Sequence, residues 1–190
     1  MHSVFVAGSR ALSRLTPQIR ERLDNIMSRN LAVLVGDANG ADKAVQRYLA
    51  KHQYSRVVVY CMESCRNNVA EWPARHHQSA RSAKRDRHYY GIKDAAMAKD
   101  ATCGFMLWDG VSKGTLTNTV NLLNARKIVV LYISPLKKMF ELRRFEDLHH
   151  ALHANGVSNV SQFLASLGMK EIVTGQLPLD PTSITFPVEA

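Results

Sequence analysis

At 190 residues the chain is long enough to bury one sizeable core and short for two domains. Hydrophobic residues make up 46% and charged residues 22%, a balance that argues against disorder, and no apolar run approaches the ~20 residues a bilayer span needs. The net charge of +9 points to an anionic partner: nucleic acid, membrane phosphates or a polyanionic ligand.

Val4-Phe5-Val6-Ala7 is a strand-length apolar run that ends at Gly8-Ser9-Arg10. MHSVFVAGSR lacks the basic and apolar regions of a secretory leader, so the expected location is the cytoplasm, with no membrane partner. Thr16 and Pro17 open a helix as N-cap and first residue, and Ile19, Leu23, Ile26 and Met27 supply its apolar stripe. A second strand over residues 31–35 runs into Gly36-Asp37-Ala38-Asn39-Gly40-Ala41-Asp42, and Ala44, Val45, Tyr48 and Leu49 mark the helix that follows.

A valine-rich third strand over residues 56–60 leads through Cys61, Cys65 and Arg66-Asn67-Asn68 into a basic stretch, residues 75–93. That stretch holds Arg75, Arg81, Lys84, Arg85, Arg87 and Lys93 among His76, His77 and His88. It reads as a solvated face, as a mobile lid, or as a nucleic-acid stripe, with Trp72, Tyr89, Tyr90 and Trp108 interleaved among basic residues to stack on bases; Trp108, at the end of a strand, reads alternatively as a wall of a ligand pocket. Cys61, Cys65 and Cys103 are too few for a disulfide framework and wrongly spaced for structural zinc, and read as small buried hydrophobes. No metal or cofactor is expected; His149 and His153, four apart on a predicted helix, lack carboxylate or cysteine partners and read as surface histidines.

Helix resumes near His88, the fourth strand spans residues 103–108 and the fifth 128–133. Between the last two, WDGVSKGT has a turn-forming Asp-Gly pair, but Leu116, Val120 and Leu123 recur at helical spacing. The segment is therefore a strand-to-helix loop. After Pro135, the spacing of Met139, Leu142, Phe145, Leu148 and Leu152 predicts one helix, and Val160, Phe163, Leu164 and Leu167 another before Gly168. The proline-rich end, LPLDPTSITFPVEA, reads as an extended tail.

The alternation of strands and helices predicts an α/β, Rossmann-like fold: a mainly parallel sheet of about five strands flanked by helices. The predicted division is a nucleotide-binding domain over residues 1–134 and a helical extension with its tail over 135–190. In such a sheet, ligands bind beyond the carboxyl ends of the strands. Three glycine loops converge there: Gly8-Ser9-Arg10, Gly36 to Asp42, and Asp109 to Thr115. Glycines admit a close ligand, and helix N-termini offer unpaired N–H groups to a phosphate. On this reading Gly8, Ser9, Arg10, Gly36, Asp37, Gly40, Asp109, Gly110, Ser112, Gly114 and Thr115 form a binding cradle, with the Arg10 fork suited to phosphate or carboxylate. Arg66, Asn67 and Asn68 read either as a polar turn or as a reader of base or ribose. Neither the P-loop nor the standard dinucleotide fingerprint is present.

GSR, GDANGAD, VYC with the following RNN, KDAAMAKDA, LWDGVSKGT and Asn118 occur in that order. They resemble the YspA (cpYpsA-related) family of the SLOG superfamily, over roughly residues 3–134. That superfamily includes the Lonely Guy phosphoribohydrolases and the DNA-processing protein A domain. The resemblance implies a Rossmann-like fold and a nucleotide or nucleotide-derived ligand, places Lys93 and Asn118 at the site, and, through the dimeric Lonely Guy enzymes, implies a homo-oligomer. It supplies no reaction. Lonely Guy enzymes carry PGGxGTxxE, and here Asn118 stands where that glutamate would be, with Lys93-Asp94 in place of Arg-Lys. An asparagine cannot act as a general base, so N-glycosidic cleavage would need another carboxylate: Asp37, Asp42 or Asp109. The expectations are a nucleotide-binding sensor or processing protein, with a nucleotide N-glycosidase and a nucleic-acid binder acting through residues 75–93 as rivals.

Overall fold

The computed structural model describes residues 2–79 and 86–169. In chain order it contains β1 (Ser3–Gly8), α1 (Pro17–Ser28), β2 (Ala32–Gly36), α2 (Ala41–Lys51), β3 (Val57–Met62) and β4 (Ala74–His77). These are followed by α3 (Arg87–Asp100), β5 (Cys103–Trp108), α4 (Lys113–Asn124), β6 (Val129–Ile133), β7 (Lys138–Leu142), α5 (Phe145–Ala154) and α6 (Val160–Ser166). The tail expected near the C-terminus and Arg81, Lys84 and Arg85 of the basic stretch lie outside the described residues, so the lid reading does too.

One sheet runs in the order β4-β3-β2-β1-β5-β6-β7. All neighbours are parallel except β6 and β7, which pair antiparallel from Val129↔Leu142 to Ile133↔Lys138. Side chains alternate between the faces, as a pleated strand requires. Val4 and Val6 of β1 pack with Ile19, Leu23 and Ile26 of α1 and Val45 and Leu49 of α2. Phe5 and Ala7 face Met97 of α3, Leu116 and Val120 of α4, and the α5 and α6 residues Leu148 and Leu164. Each large apolar side chain sealed between these layers contributes about 1.5–3 kcal/mol.

The sheet has seven strands, two more than the sequence predicts, and both additions are edges. β4 holds ARHH, which has no apolar alternation, and it takes Arg75, His76 and His77 out of any helix. β7 occupies residues expected to begin a long helix. Leu136 and Lys137 donate N–H groups back to Ile133 and Ser134, at 3.2 Å each, and Lys137 adopts a φ of 51°. This reversal turns residues 138–142 into an antiparallel strand, and helix begins only at Phe145. Residues past 134 thus share the sheet and core of those before it.

The direction of crossover reverses between β1 and β5. From β1 the chain moves towards β2, and from β5 towards β6. The loops leaving these two strands diverge, and the crevice between them is where ligands bind in open α/β sheets.

Candidate functional site

A cavity of about 630 Å³ opens at this crevice, within the range that holds nucleotide-sized molecules. Its wall on the β1 side is Gly8, Ser9 and Arg10; on the α4 side it is Ser112, Lys113, Gly114, Thr115 and Asn118. Gly8 lets the strands close: a Cβ there would sit 2.6 Å from Leu107 Cβ and 2.8 Å from Ala41 Cβ.

Asp109 ties the two loops together. Its Oδ1 accepts the N–H groups of Val111 at 3.1 Å and Ser112 at 2.7 Å, and its Oδ2 accepts the Ser9 hydroxyl. Burial favours the protonated form, but these hydrogen bonds outweigh it and hold the carboxyl below its usual range. Both oxygens are engaged, so Asp109 organises the loop and is a poor candidate for a proton-transferring base. Ser112 is the N-cap of α4, yet its side chain makes no capping bond; its Oγ accepts the Thr115 hydroxyl at 3.1 Å. Among the described residues no acceptor meets the N–H groups of Lys113, Gly114 and Thr115. That leaves the positive end of the helix dipole facing the cavity. Asn118, one turn further along α4, is only 5% exposed, lines the cavity, and has no hydrogen-bond partner among the described residues.

Beneath the opposite wall lies a cluster of charges. Asp37 is 1% exposed and gripped by Arg66 through Nη2 at 2.7 Å, Nε at 3.0 Å and the main-chain N–H at 3.0 Å. Lys93 Nζ lies 3.7 Å from Asp37 Oδ1 and 2.9 Å from Asp94 Oδ1. Burial works against the Lys93 charge, but Asp94, Asp42 and Asp37 together raise its pKa and keep the ammonium ionised. Gly36 makes room for this arrangement, because a Cβ there would come within 2.8 Å of Lys93 Nζ. Arg66 also stacks on Tyr90 of α3, its guanidinium carbon 4.3 Å from the ring centre, and the Arg10 guanidinium carbon lies 5.6 Å from the same ring.

The three carboxylates singled out from the sequence therefore differ in kind. Asp37 is a buried strut, and Asp109 is a loop tie. Asp42 faces the cavity, with Oδ2 accepting the Ala38 N–H at 3.2 Å. Burial, reinforced by the charges of Asp94 and Asp37, lifts its carboxyl to about 6 against the pull of Lys93. A folded-state value above the ordinary 3.8 stabilises the fold most below that ordinary value, and the contribution is lost as pH rises through about 6. Wild type should accordingly gain stability relative to Asp42→Asn as pH falls from neutral to 4. Urea unfolding of both proteins across that window measures the difference, and a flat difference would mean an ordinary carboxylate.

Nine of the expected binding residues line the cavity, Gly8, Ser9, Arg10, Lys93, Asp109, Ser112, Gly114, Thr115 and Asn118, and so does the candidate carboxylate Asp42. Gly36, Asp37, Gly40 and Gly110 lie outside its lining and support it. Tyr90, Asp86 and Asp94 also line it; Asp94 stands in the KDAAMAKDA stretch, whereas no motif marks Asp86 and Tyr90, which come in with the start of α3 from a distant part of the chain. The aromatic platform expected of the basic stretch is largely core. Trp108 is 0% exposed and gives its Nε1–H to the Ser112 carbonyl, Trp72 gives its own to Tyr54, and Tyr89 is buried. Only Tyr90 of these four faces the cavity. Arg75 is bound to Asp100 and to the Tyr60 hydroxyl, away from the cavity. Cys61 and Cys65, expected as separate thiols, form a disulfide, and Cys103 is a free thiol.

No helix among the described residues is long and apolar enough to cross a membrane, and no group of histidine, cysteine and acidic side chains among them is placed to hold a metal ion. No protein-family model matches the chain, and no curated protein matches it. A solved structure of DNA processing protein A from Helicobacter pylori, described for its single-stranded DNA binding mode, aligns with 87% of this chain and 80% of its own, at a TM-score of 0.53 and 11% sequence identity. The chain thus has an α/β, Rossmann-like fold similar to that of DNA processing protein A.

Proposed function

We propose that the crevice between β1 and β5 binds a nucleotide or nucleotide-derived ligand, as a sensor or processing protein of the YspA (cpYpsA-related) kind. One observation carries this reading. The acceptor-less first turn of α4 and Asn118, an unpartnered residue only 5% exposed, line the same nucleotide-sized cavity. A phosphate would take the N–H groups of Lys113, Gly114 and Thr115, with Arg10 and Lys113 adding charge. Asn118 both donates and accepts, which suits a sugar hydroxyl or a base edge deeper in the cavity. Tyr90 offers an aromatic face beside it.

Gly114 gives a sharp test. A Cβ there meets nothing within 4 Å, and its φ is not positive, so Gly114→Leu should fold normally while filling the space in front of the helix terminus. Arg10→Ala removes a charged donor worth about 1.5–3 kcal/mol of binding, and Thr115→Val removes a hydroxyl worth about 1 kcal/mol. Calorimetric titration with adenosine 5′-monophosphate, alongside native mass spectrometry of co-purified ligand, should show weakened binding in all three at unchanged melting temperature. Unchanged affinity would make the loop a plain scaffold turn.

Two rival readings each rest on a specific observation. Asp42, titrating near 6 on the cavity wall, has the near-neutral value that general acid–base catalysis favours, and supports N-glycosidic cleavage of the bound nucleotide. The net charge of +9, together with a fold neighbour that binds single-stranded DNA, supports nucleic-acid binding. An oligonucleotide that binds where mononucleotides do not would favour the second. Release of free base, lost in Asp42→Asn, would favour the first.

A further inference from the structure

The Cys61–Cys65 disulfide closes the turn at the end of β3, and Arg66 follows it directly. Arg66 fixes one wall of the cavity through its main-chain N–H and its fork on Asp37, and through its stack on Tyr90. Asn67 extends the same attachment, donating Nδ2–H to the Asp37 carbonyl at 2.7 Å and to Asn39 Oδ1 at 3.2 Å. Every anchor of this wall on the β2–α2 loop therefore lies within two residues of Cys65. The two cysteines differ in exposure. Cys61 is 0% exposed among the apolar residues between the sheet and α1 and α2, whereas Cys65 is partly exposed.

We propose that Cys61–Cys65 is a redox-reactive site, reduced by a dithiol, whose opening loosens the Arg66 wall of the cavity. A thiolate of the dithiol attacks the Sγ of Cys65, the partly exposed residue of the pair. The Cys61–Cys65 bond breaks, and Cys61 leaves as a thiolate that takes a proton and remains as a buried thiol. The second thiolate of the reductant then attacks its own sulfur in the mixed disulfide. This forms the reductant's disulfide and releases Cys65, which is protonated from water. Two electrons and two protons pass to the protein, and a disulfide oxidant reverses the step.

Cys103 does not compete. It sits on β5, with β2 and β1 between it and β3 in the sheet, and burial pushes its thiol up to about 11, leaving little thiolate. Reduction does not remove the Asp37–Arg66 ion pair. It removes the covalent restraint that holds the Arg66 N–H and guanidinium on one carboxylate at the same time, so the wall opens more often without unfolding. The effect on ligand affinity rests on the nucleotide reading; the redox site itself does not.

The test uses the full chain purified without reductant. Dithiothreitol should add the mass of two hydrogens, make Cys65 open to alkylation in the folded protein, and let Cys61 be alkylated once the chain is unfolded. The Arg66 amide should then exchange hydrogen roughly tenfold faster, and reoxidation should restore protection. Cys65→Ser and Cys61→Ala should exchange like the reduced protein and ignore dithiothreitol. Adenosine 5′-monophosphate should bind the reduced protein several-fold more weakly than the oxidised one. Two free thiols at these positions that an added disulfide oxidant fails to join would overturn the proposal. So would an Arg66 amide that exchanges equally in both states. If mass and exchange respond while the nucleotide binds neither form, the redox site stands and the nucleotide reading falls.

Discussion

Asp37→Ala is expected to lower the unfolding free energy by about 3 kcal/mol, at the lower end of what breaking a buried ion pair costs. The lower end applies because the Arg66 side chain is 34% exposed, so water recovers part of its solvation, while Asp37 is 2% exposed at its side chain. Lys93 has no such relief. Its side chain is 4% exposed, and without Asp37 it leans wholly on Asp94 and Asp42. Burial by itself would raise the Asp37 carboxyl, but the hydrogen bonds from Arg66 and the charges of Lys93 and Arg66 outweigh it, and its pKa falls below the ordinary 3.8. A depressed folded-state value gives stability that is present above the ordinary value and lost as pH falls through the folded one. The gap between wild type and Asp37→Ala should therefore be full at neutral pH and close below pH 3.8. The Asp42 contribution runs the other way over a higher window, so the two are separable by urea unfolding at stepped pH. A double-mutant cycle with Arg66→Ala isolates the pair. A loss below about 1 kcal/mol would mean a screened, surface-like contact.

This strut also marks the boundary of what the sequence discloses. The βα alternation, the Thr16-Pro17 helix start and the α4 stripe of Leu116, Val120 and Leu123 are local patterns, and each forms the element it predicts. So do the glycine loops, because a loop after a parallel strand has only one edge to reach. Arg66, Tyr90 and Asp94 take their places through contacts that no window of sequence contains. The Asp37–Arg66 bonds span 29 residues, and the Ser9–Asp109 bond spans 100.

The two missed strands have other causes. β4 is short and polar because an edge strand buries little, so periodicity has nothing to detect. In β7 and α5, Met139, Leu142 and Phe145 are three apart by coincidence across a strand–helix junction, which imitates a helix. Cysteine number and spacing argue against a disulfide framework, but neither measures whether the sulfurs of Cys61 and Cys65 meet. Their Cα atoms lie 4.9 Å apart, a separation that a turn after β3 sets and composition cannot.

Gly40→Ala should cost roughly 3 kcal/mol or more. Gly40 has φ 82° and ψ −127° as the N-cap of α2, a conformation that L side chains reach only with about 1–3 kcal/mol of strain. A Cβ there would also strike the main-chain O, Cα and C of Arg10. Arg10 cannot retreat freely: Ser9 before it accepts the Ala41 N–H on its carbonyl at 3.1 Å and donates its own N–H to the Leu107 carbonyl at 2.9 Å. Relief must come from shifting either the α2 N-terminus or the Arg10 wall of the cavity. At about 2–4 °C per kcal/mol for a chain of this size, the melting temperature should fall by roughly 10 °C, and ligand affinity should fall with it. Gly91→Ala is the matched control. Gly91 lies inside α3, a Cβ there meets nothing within 4 Å, and its φ is not positive, so the change should stabilise by roughly 0.5–1 kcal/mol. Calorimetric melting of the two variants decides the point. Equal melting temperatures would show that the β2–α2 loop relaxes around a side chain at position 40, and that the close contact with Arg10 is not what holds this wall in place.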